Sequence, residues 1–145
     1  MILVHLARLR RRENATAALE FALAAVPLML LILGIIEAGL LFWSQEALQG
    51  VAIDTARCAG LGSCNSPSAA QSFAVSEAVS RGLNTVTTTA VSVSTGTAAE
   101  ALCGNTTAKV VNISVSYQYN SISFIPVTRN LTASACYPLA LDSTV

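Results

Sequence analysis

A basic cluster followed by one long apolar run leaves this chain few ways to fold. Arg8, Arg10, Arg11 and Arg12 come first, and the run from Phe21 to Trp43 is then broken by a single charge, Glu37. As a helix rising about 1.5 Å per residue, Phe21 to Trp43 measures about 35 Å, enough to cross a hydrocarbon core of about 30 Å. The basic cluster predicts that the N-terminus stays in the cytoplasm, and Trp43 falls where indoles gather at the far interface. A cleaved secretory signal would carry a shorter apolar region, of about 7–15 residues, ending in a small-x-small site. Here the run is longer and gives way to Ser44-Gln45-Glu46-Ala47-Leu48-Gln49, so an anchor is the favoured reading.

The helical pattern continues past the apolar run. Leu48, Val51 and Ala52, then Ala56 and Ala59, recur at three- and four-residue spacing as far as the Gly60-Leu61-Gly62 break. The chain therefore divides into a basic cytoplasmic tail (residues 1–15), a long helix (16–59) that spans the membrane over about residues 21–43, and an outer domain (60–145). Pro27 removes one backbone donor, which membrane helices tolerate. Gly34 and Gly39, with Ala38, make a small-residue patch suited to close contact with another helix.

The outer domain reads as α+β. Ser66-Pro67 caps and opens a short helix over about residues 68–82, with Ala70, Phe73, Ala74 and Ala78 on one face and Gly82 at its end. Strands follow at residues 90–94, 109–119 and 130–137. The second alternates most strongly, with Val111, Ile113, Val115, Tyr117 and Tyr119 on one face. Residues 95–105 read as a loop, and Pro126 makes 121–127 a bend or an edge strand. The expected architecture is a long helix, a short helix and a three- or four-stranded, mainly antiparallel sheet with one face covered.

Four cysteines, Cys58, Cys64, Cys103 and Cys136, all follow the apolar run, as disulfides in an oxidising compartment would. Three pairings are open; the expectation is Cys58–Cys64, closing a small loop at the end of the long helix, and Cys103–Cys136, tying a strand-connecting loop to the last strand. The Cys58/Cys64 spacing is wrong for a zinc knuckle and the single histidine, His5, lies in the tail, so no metal or cofactor is expected. Charged residues make up 11% of the chain against about 25% in ordinary soluble proteins. Beyond the basic tip no cationic patch exists, which argues against nucleic-acid binding. The outer part has no histidine and no acid–base or nucleophile constellation, so no catalytic residues are expected. Asp54 and Arg57, three residues apart on the helix, could form a local salt bridge.

Three motifs in order carry a family resemblance. Arg10-Arg11-Arg12, then a short linker, opens Glu20-Phe21-Ala22-Leu23; Gly34-Ile35-Ile36-Glu37-Ala38-Gly39 follows; and Ala47-Leu48-Gln49 leads through Ala52 to Ala56-Arg57. Over about residues 10–60 the chain resembles the TadE-like proteins, pseudopilins of the tight-adherence (Flp) pilus system. The resemblance implies a single-pass protein of the bacterial inner membrane with a pilin-like periplasmic domain. Its implied partners are inner-membrane lipid, other pilin or pseudopilin subunits, the pilus assembly machinery and a prepilin peptidase. Peptidase cleavage before Thr16 would leave Glu20 at the fifth mature position; the family norm before the cut is glycine, and Ala15 departs from it. Glu20, beside Phe21, would then meet the freed amine of a neighbouring subunit. Glu37 costs on the order of 3 kcal/mol inside the run and implies protonation, snorkelling or a partner in another subunit. The expected function is that of a structural component of pilus biogenesis acting through helix–helix assembly. The alternative is a membrane-anchored periplasmic binding or adhesion module outside any pilus.

Overall fold

The computed structural model describes residues 2–104, 109–121 and 128–139, with side chains from Thr16 onward. Helix α1 runs Ile2–Gly60, starting earlier than the residue near 16 expected from the sequence. The chain separates into two compact units, Met1–Gly39 and Leu40–Val145. The first is helical throughout its described residues.

The second unit contains the last part of α1, helix α2 (Pro67–Ser80), strand β1 (Val91–Thr95), helix α3 (Thr97–Leu102), strand β2 (Val110–Asn120) and strand β3 (Thr128–Pro138). The three strands form an antiparallel sheet in the order β1-β2-β3. Val91 pairs with Val115 on one side of β2, and Val115 with Ala133 on the other. The α+β fold thus follows the sequence reading, with one addition: residues 95–105, expected as a loop, contain α3. The bend or edge strand expected around Pro126 falls mostly outside the described residues.

Local chemistry explains the ends of α2. The Ser66 hydroxyl accepts from the Ala69 amide at 3.2 Å, and Pro67 spends no donor in the first turn. At the other end the Leu83 amide reaches back to the Ala78 carbonyl at 2.8 Å and the Gly82 amide to Val79 at 3.0 Å. That pattern needs a left-handed residue, and Gly82 supplies it at φ 81°. A side chain there would also press on the Trp43 ring, 3.2 Å from where its Cβ would stand.

Alanines let the core close tightly. Leu48, Val51, Ala52, Ala56 and Ala59 of α1 join Ala70, Ala74 and Ala78 of α2 in one buried cluster with Val111, Ile113, Val115 and Ala133 of the sheet. On the opposite face of the sheet, Ala99 of α3 is fully buried, and the Asn112 amide donates to the Cys136 sulfur at 3.4 Å. Two disulfides join the pieces: Cys58–Cys64 ties the last turn of α1 to the turn that follows it, and Cys103–Cys136 joins the end of α3 to β3. These are the pairs expected from the sequence.

Helix α1 also covers the free edge of β3. The Gln45 side-chain amide donates to the Thr132 carbonyl and that of Gln49 to Ser134, each at 3.2 Å. One helical turn of four residues rises about 6 Å and two strand residues about 6.6 Å, so successive glutamines meet alternate carbonyls. At the far end Gly60 lets Tyr137 and the Pro138 carbonyl approach where any Cβ would collide. Sealing an edge in this way removes a template for unwanted strand pairing.

Candidate assembly surface

The two units of the chain present different surfaces. In the first, the side chains of Leu19, Phe21, Leu23, Val26, Leu28, Met29, Leu30, Leu31, Ile35 and Ile36 are all exposed, Phe21 by 75%. The most apolar window of the helix has a mean hydropathy of 2.5, and none of it is buried by the rest of the protein. Each such side chain left in water forgoes about 1.5–3 kcal/mol of burial free energy. A continuous surface of this kind calls for lipid or another apolar surface. By length and composition this is one helix able to cross a membrane.

The assembly residues named from sequence lie on this helix. Glu20 and Phe21 are exposed and Glu37 is half-buried. Gly34 and Gly39 are exposed, and a Cβ added at either would meet nothing within 4 Å. Packing within the chain therefore does not demand glycine at these two positions, and both leave bare backbone for an approaching helix. Thr16 is exposed, whereas the side chains of Ala15 and the arginine cluster lie outside the described residues.

In the second unit an ion-pair cluster joins α1 to α2. The Arg81 guanidinium donates to Glu77 at 2.9 Å, one turn back along α2, and also bonds the Asp54 carboxylate of α1. The Glu77 hydrogen bond raises the Arg81 pKa above its ordinary value, and the charges of Glu77 and Asp54 add to this against a smaller opposing effect of burial. Gly50 stands beside the cluster, where a Cβ would overlap the guanidinium.

The expected local pair between Asp54 and Arg57 does not form: Asp54 is taken by Arg81. The reason is geometric. One guanidinium reaching across from α2 serves Glu77 and Asp54 together, with several donors in a fixed fork. The Glu77–Arg81 spacing was visible in the sequence as a favourable i,i+4 pair; the crossing to Asp54, 27 residues away, was not.

Next to this cluster is an open recess of about 260 Å³ lined by Asp54, Arg57, Cys58, Leu61, Ser63, Phe73 and Glu77. Both of its carboxylates are engaged by Arg81, and both Cys58 and Cys64 are in disulfides. Among the described residues no cluster of three or more His, Cys, Asp or Glu is placed to hold a metal ion.

No curated protein and no solved structure matches the chain. A family match does exist, and it coincides with the helix rather than with the sheet: residues 15–57 fit the model of the TadE-like protein family, so that the segment from Ala15 through Glu20, Glu37 and Arg57 is TadE-like, as its three motifs indicated.

Proposed function

We propose that this protein is a pseudopilin-like component of tight-adherence pilus assembly, held in the bacterial inner membrane by α1 and acting through helix–helix packing. The observation that carries the reading is the conjunction of two facts. The TadE-like match lies on α1, and the apolar residues of that helix from Leu19 to Ile36 are left uncovered by their own chain. A helix that served only to hold the fold would bury this surface.

On this reading residues 1–15 are cytoplasmic and the second unit is periplasmic, in keeping with the arginine cluster at the N-terminus and two disulfides in the second unit. The protein performs no chemistry of its own. Its partners are membrane lipid, other pilin or pseudopilin subunits and the assembly machinery. A prepilin peptidase acting between Ala15 and Thr16 would leave Glu20 fifth from a new N-terminus, the position from which its carboxylate can pair with an amine of a neighbouring subunit.

The test exchanges residues 21–43 for an unrelated membrane helix of equal length and follows both membrane retention and pilus output. Retention should survive and pilus output should be lost. Undiminished output from the exchanged chain would leave only an anchoring role and sink the proposal. A milder version is Glu37→Ala, which should impair assembly more than insertion. Mass spectrometry of the native N-terminus supplies the processing result: a species starting at Thr16 is expected if the peptidase acts.

A further inference from the structure

Within the second unit, β3 runs alongside α1 in the same direction. Three points fix this: Gln45 meets the Thr132 carbonyl, Gln49 meets that of Ser134, and Gly60 lies against Tyr137 and Pro138. The start of β3 therefore points the way α1 runs from Gln45 back to Trp43 and Leu40. A strand rises about 3.3 Å per residue and a helix about 1.5 Å, so Asn130, Arg129 and Thr128 stand about 4, 7 and 10 Å beyond the level of Trp43. Asn120 pairs with Thr128 and ends β2 at the same level. The cover of α1 reaches past Trp43 as well: Ser44 is buried, and Leu40 and Leu41 are half-buried.

The chemistry of this end of the sheet suits a lipid headgroup layer. Asn120, Thr128, Arg129 and Asn130 are all exposed, and among the described residues Arg129 takes part in no ion pair. Asparagine and threonine can donate to ester and phosphate oxygens, and a free guanidinium binds phosphate with two parallel hydrogen bonds. A headgroup layer is about 5–8 Å deep and holds the indoles that mark its boundary. The other end of the sheet stands well clear of it. Thr95 pairs with Val111 and Val111 with Tyr137, which is eight strand residues, or about 26 Å, from Arg129. In sequence, the chain between Asn120 and Thr128 reads Ser-Ile-Ser-Phe-Ile-Pro-Val, with four large apolar side chains in seven residues.

We infer that the sheet end formed by Asn120, Thr128, Arg129 and Asn130 is a lipid-contacting surface, seated in the headgroup layer on the periplasmic side with Arg129 against lipid phosphate. The occupant is phospholipid because this surface lies at and beyond the depth of Trp43, where the membrane-crossing part of α1 ends. The inference rests on the proposed membrane-anchored reading. It adds a second contact with the bilayer, made by the sheet, that holds the outer domain against the membrane.

The experiment uses the full chain in vesicles of phosphatidylcholine and phosphatidylglycerol that carry a nitroxide quencher on the lipid headgroup. The fluorescent amino acid Anap replaces Asn130 in one variant, Thr128 in a second and Thr95 in a third. Quenching at Asn130 and Thr128 should exceed that at Thr95 by about threefold or more, because the far end of the sheet stands several headgroup depths away. Arg129→Glu should lower the quenching at Asn130 about twofold, since a cation near an anionic surface is favoured and an anion is not. In the unlabelled chain Trp43, the one tryptophan, reports the anchor through its own quenching. Equal quenching at Asn130, Thr128 and Thr95 while Trp43 is quenched would overturn the inference and leave the anchor standing. A Trp43 that escapes quenching would bring down the membrane reading and this inference with it. Indifference of the Asn130 signal to Arg129→Glu would remove Arg129 from the contact.

Discussion

The two units of this chain handle apolar surface in opposite ways. In the second, the buried set is built mostly from alanine and valine, with few bulky side chains: Leu48, Val51, Leu83, Val111, Ile113 and Val115 among the largest. Small residues let α1, α2 and the sheet approach closely, and two disulfides supplement a core that is limited in size. In the first unit, from Leu19 onward, leucine and isoleucine are plentiful and exposed, as is Phe21. Most of the leucines and isoleucines of the first unit thus lie where its own fold makes no use of them. Exposure has a different meaning in each unit: at Asn84 or Thr85 it marks contact with water, and at Leu30 or Leu31 contact with something apolar.

That contrast can be broken most forcefully by charge. Leu30→Arg combined with Leu31→Arg places two cations in the uncharged run, at about 3 kcal/mol each when near the bilayer centre. The doubly substituted chain should be released from membranes by alkaline carbonate, whereas Asn84→Arg with Thr85→Arg should leave retention unchanged and stability within about 0.5 kcal/mol. Retention of the Leu30/Leu31 variant would mean that this helix face does not lie in lipid.

The next effect concerns the disulfides. Cys103–Cys136 bridges 33 residues and Cys58–Cys64 only six. By loop-closure entropy the longer bridge contributes about 3–4 kcal/mol and the shorter about 2 kcal/mol. Pulse proteolysis of the full chain in urea should therefore show a larger loss for Cys103→Ser with Cys136→Ser than for Cys58→Ser with Cys64→Ser. The reverse order would place the main constraint at the end of α1.

Why these features differ in how readily the sequence reveals them is a matter of range. The long helix, α2 and the three strands announce themselves through local pattern: the apolar run, the Ser66-Pro67 opening, the Gly82 stop, and alternation such as Val111-Ile113-Val115. Helix α3 does not. It has six residues, no side-chain cap and one fully buried residue, Ala99, and it depends on packing against β1 and β2 for its existence. The TadE-like segment that holds Glu20, Phe21, Gly34, Glu37 and Gly39 was legible because its motifs are contiguous. The Arg81 cluster and the glutamines that cover β3 were not, since each depends on a contact between segments far apart in the chain.

The alanine packing offers a smaller test of the same contrast. Ala74 is fully buried within the cluster. Ala74→Leu should cost about 1–3 kcal/mol through overpacking. Leu23→Ala, on a residue 69% exposed, should leave the second unit's stability unchanged, although it removes more apolar surface. Both follow from urea-dependent proteolysis of the full chain. Equal effects would show that the two surfaces are not different in kind.

Arg81 should give the smallest effect and the clearest sign. Its side chain and that of Glu77 are each 29% exposed and Asp54 is 43% exposed, so solvent screens the cluster and Arg81→Ala should cost below about 1 kcal/mol. A guanidinium whose pKa is raised on folding contributes stability that is fully present below its unfolded value and lost only as pH climbs through the higher folded value. Both values lie far into alkali, so the arginine's own ionisation should leave the gap between wild type and Arg81→Ala level from pH 7 to pH 10. Added salt should narrow that gap, because the pair sits where ions can reach it. A gap indifferent to added salt would mean that Arg81 holds α1 and α2 together by something other than its charge.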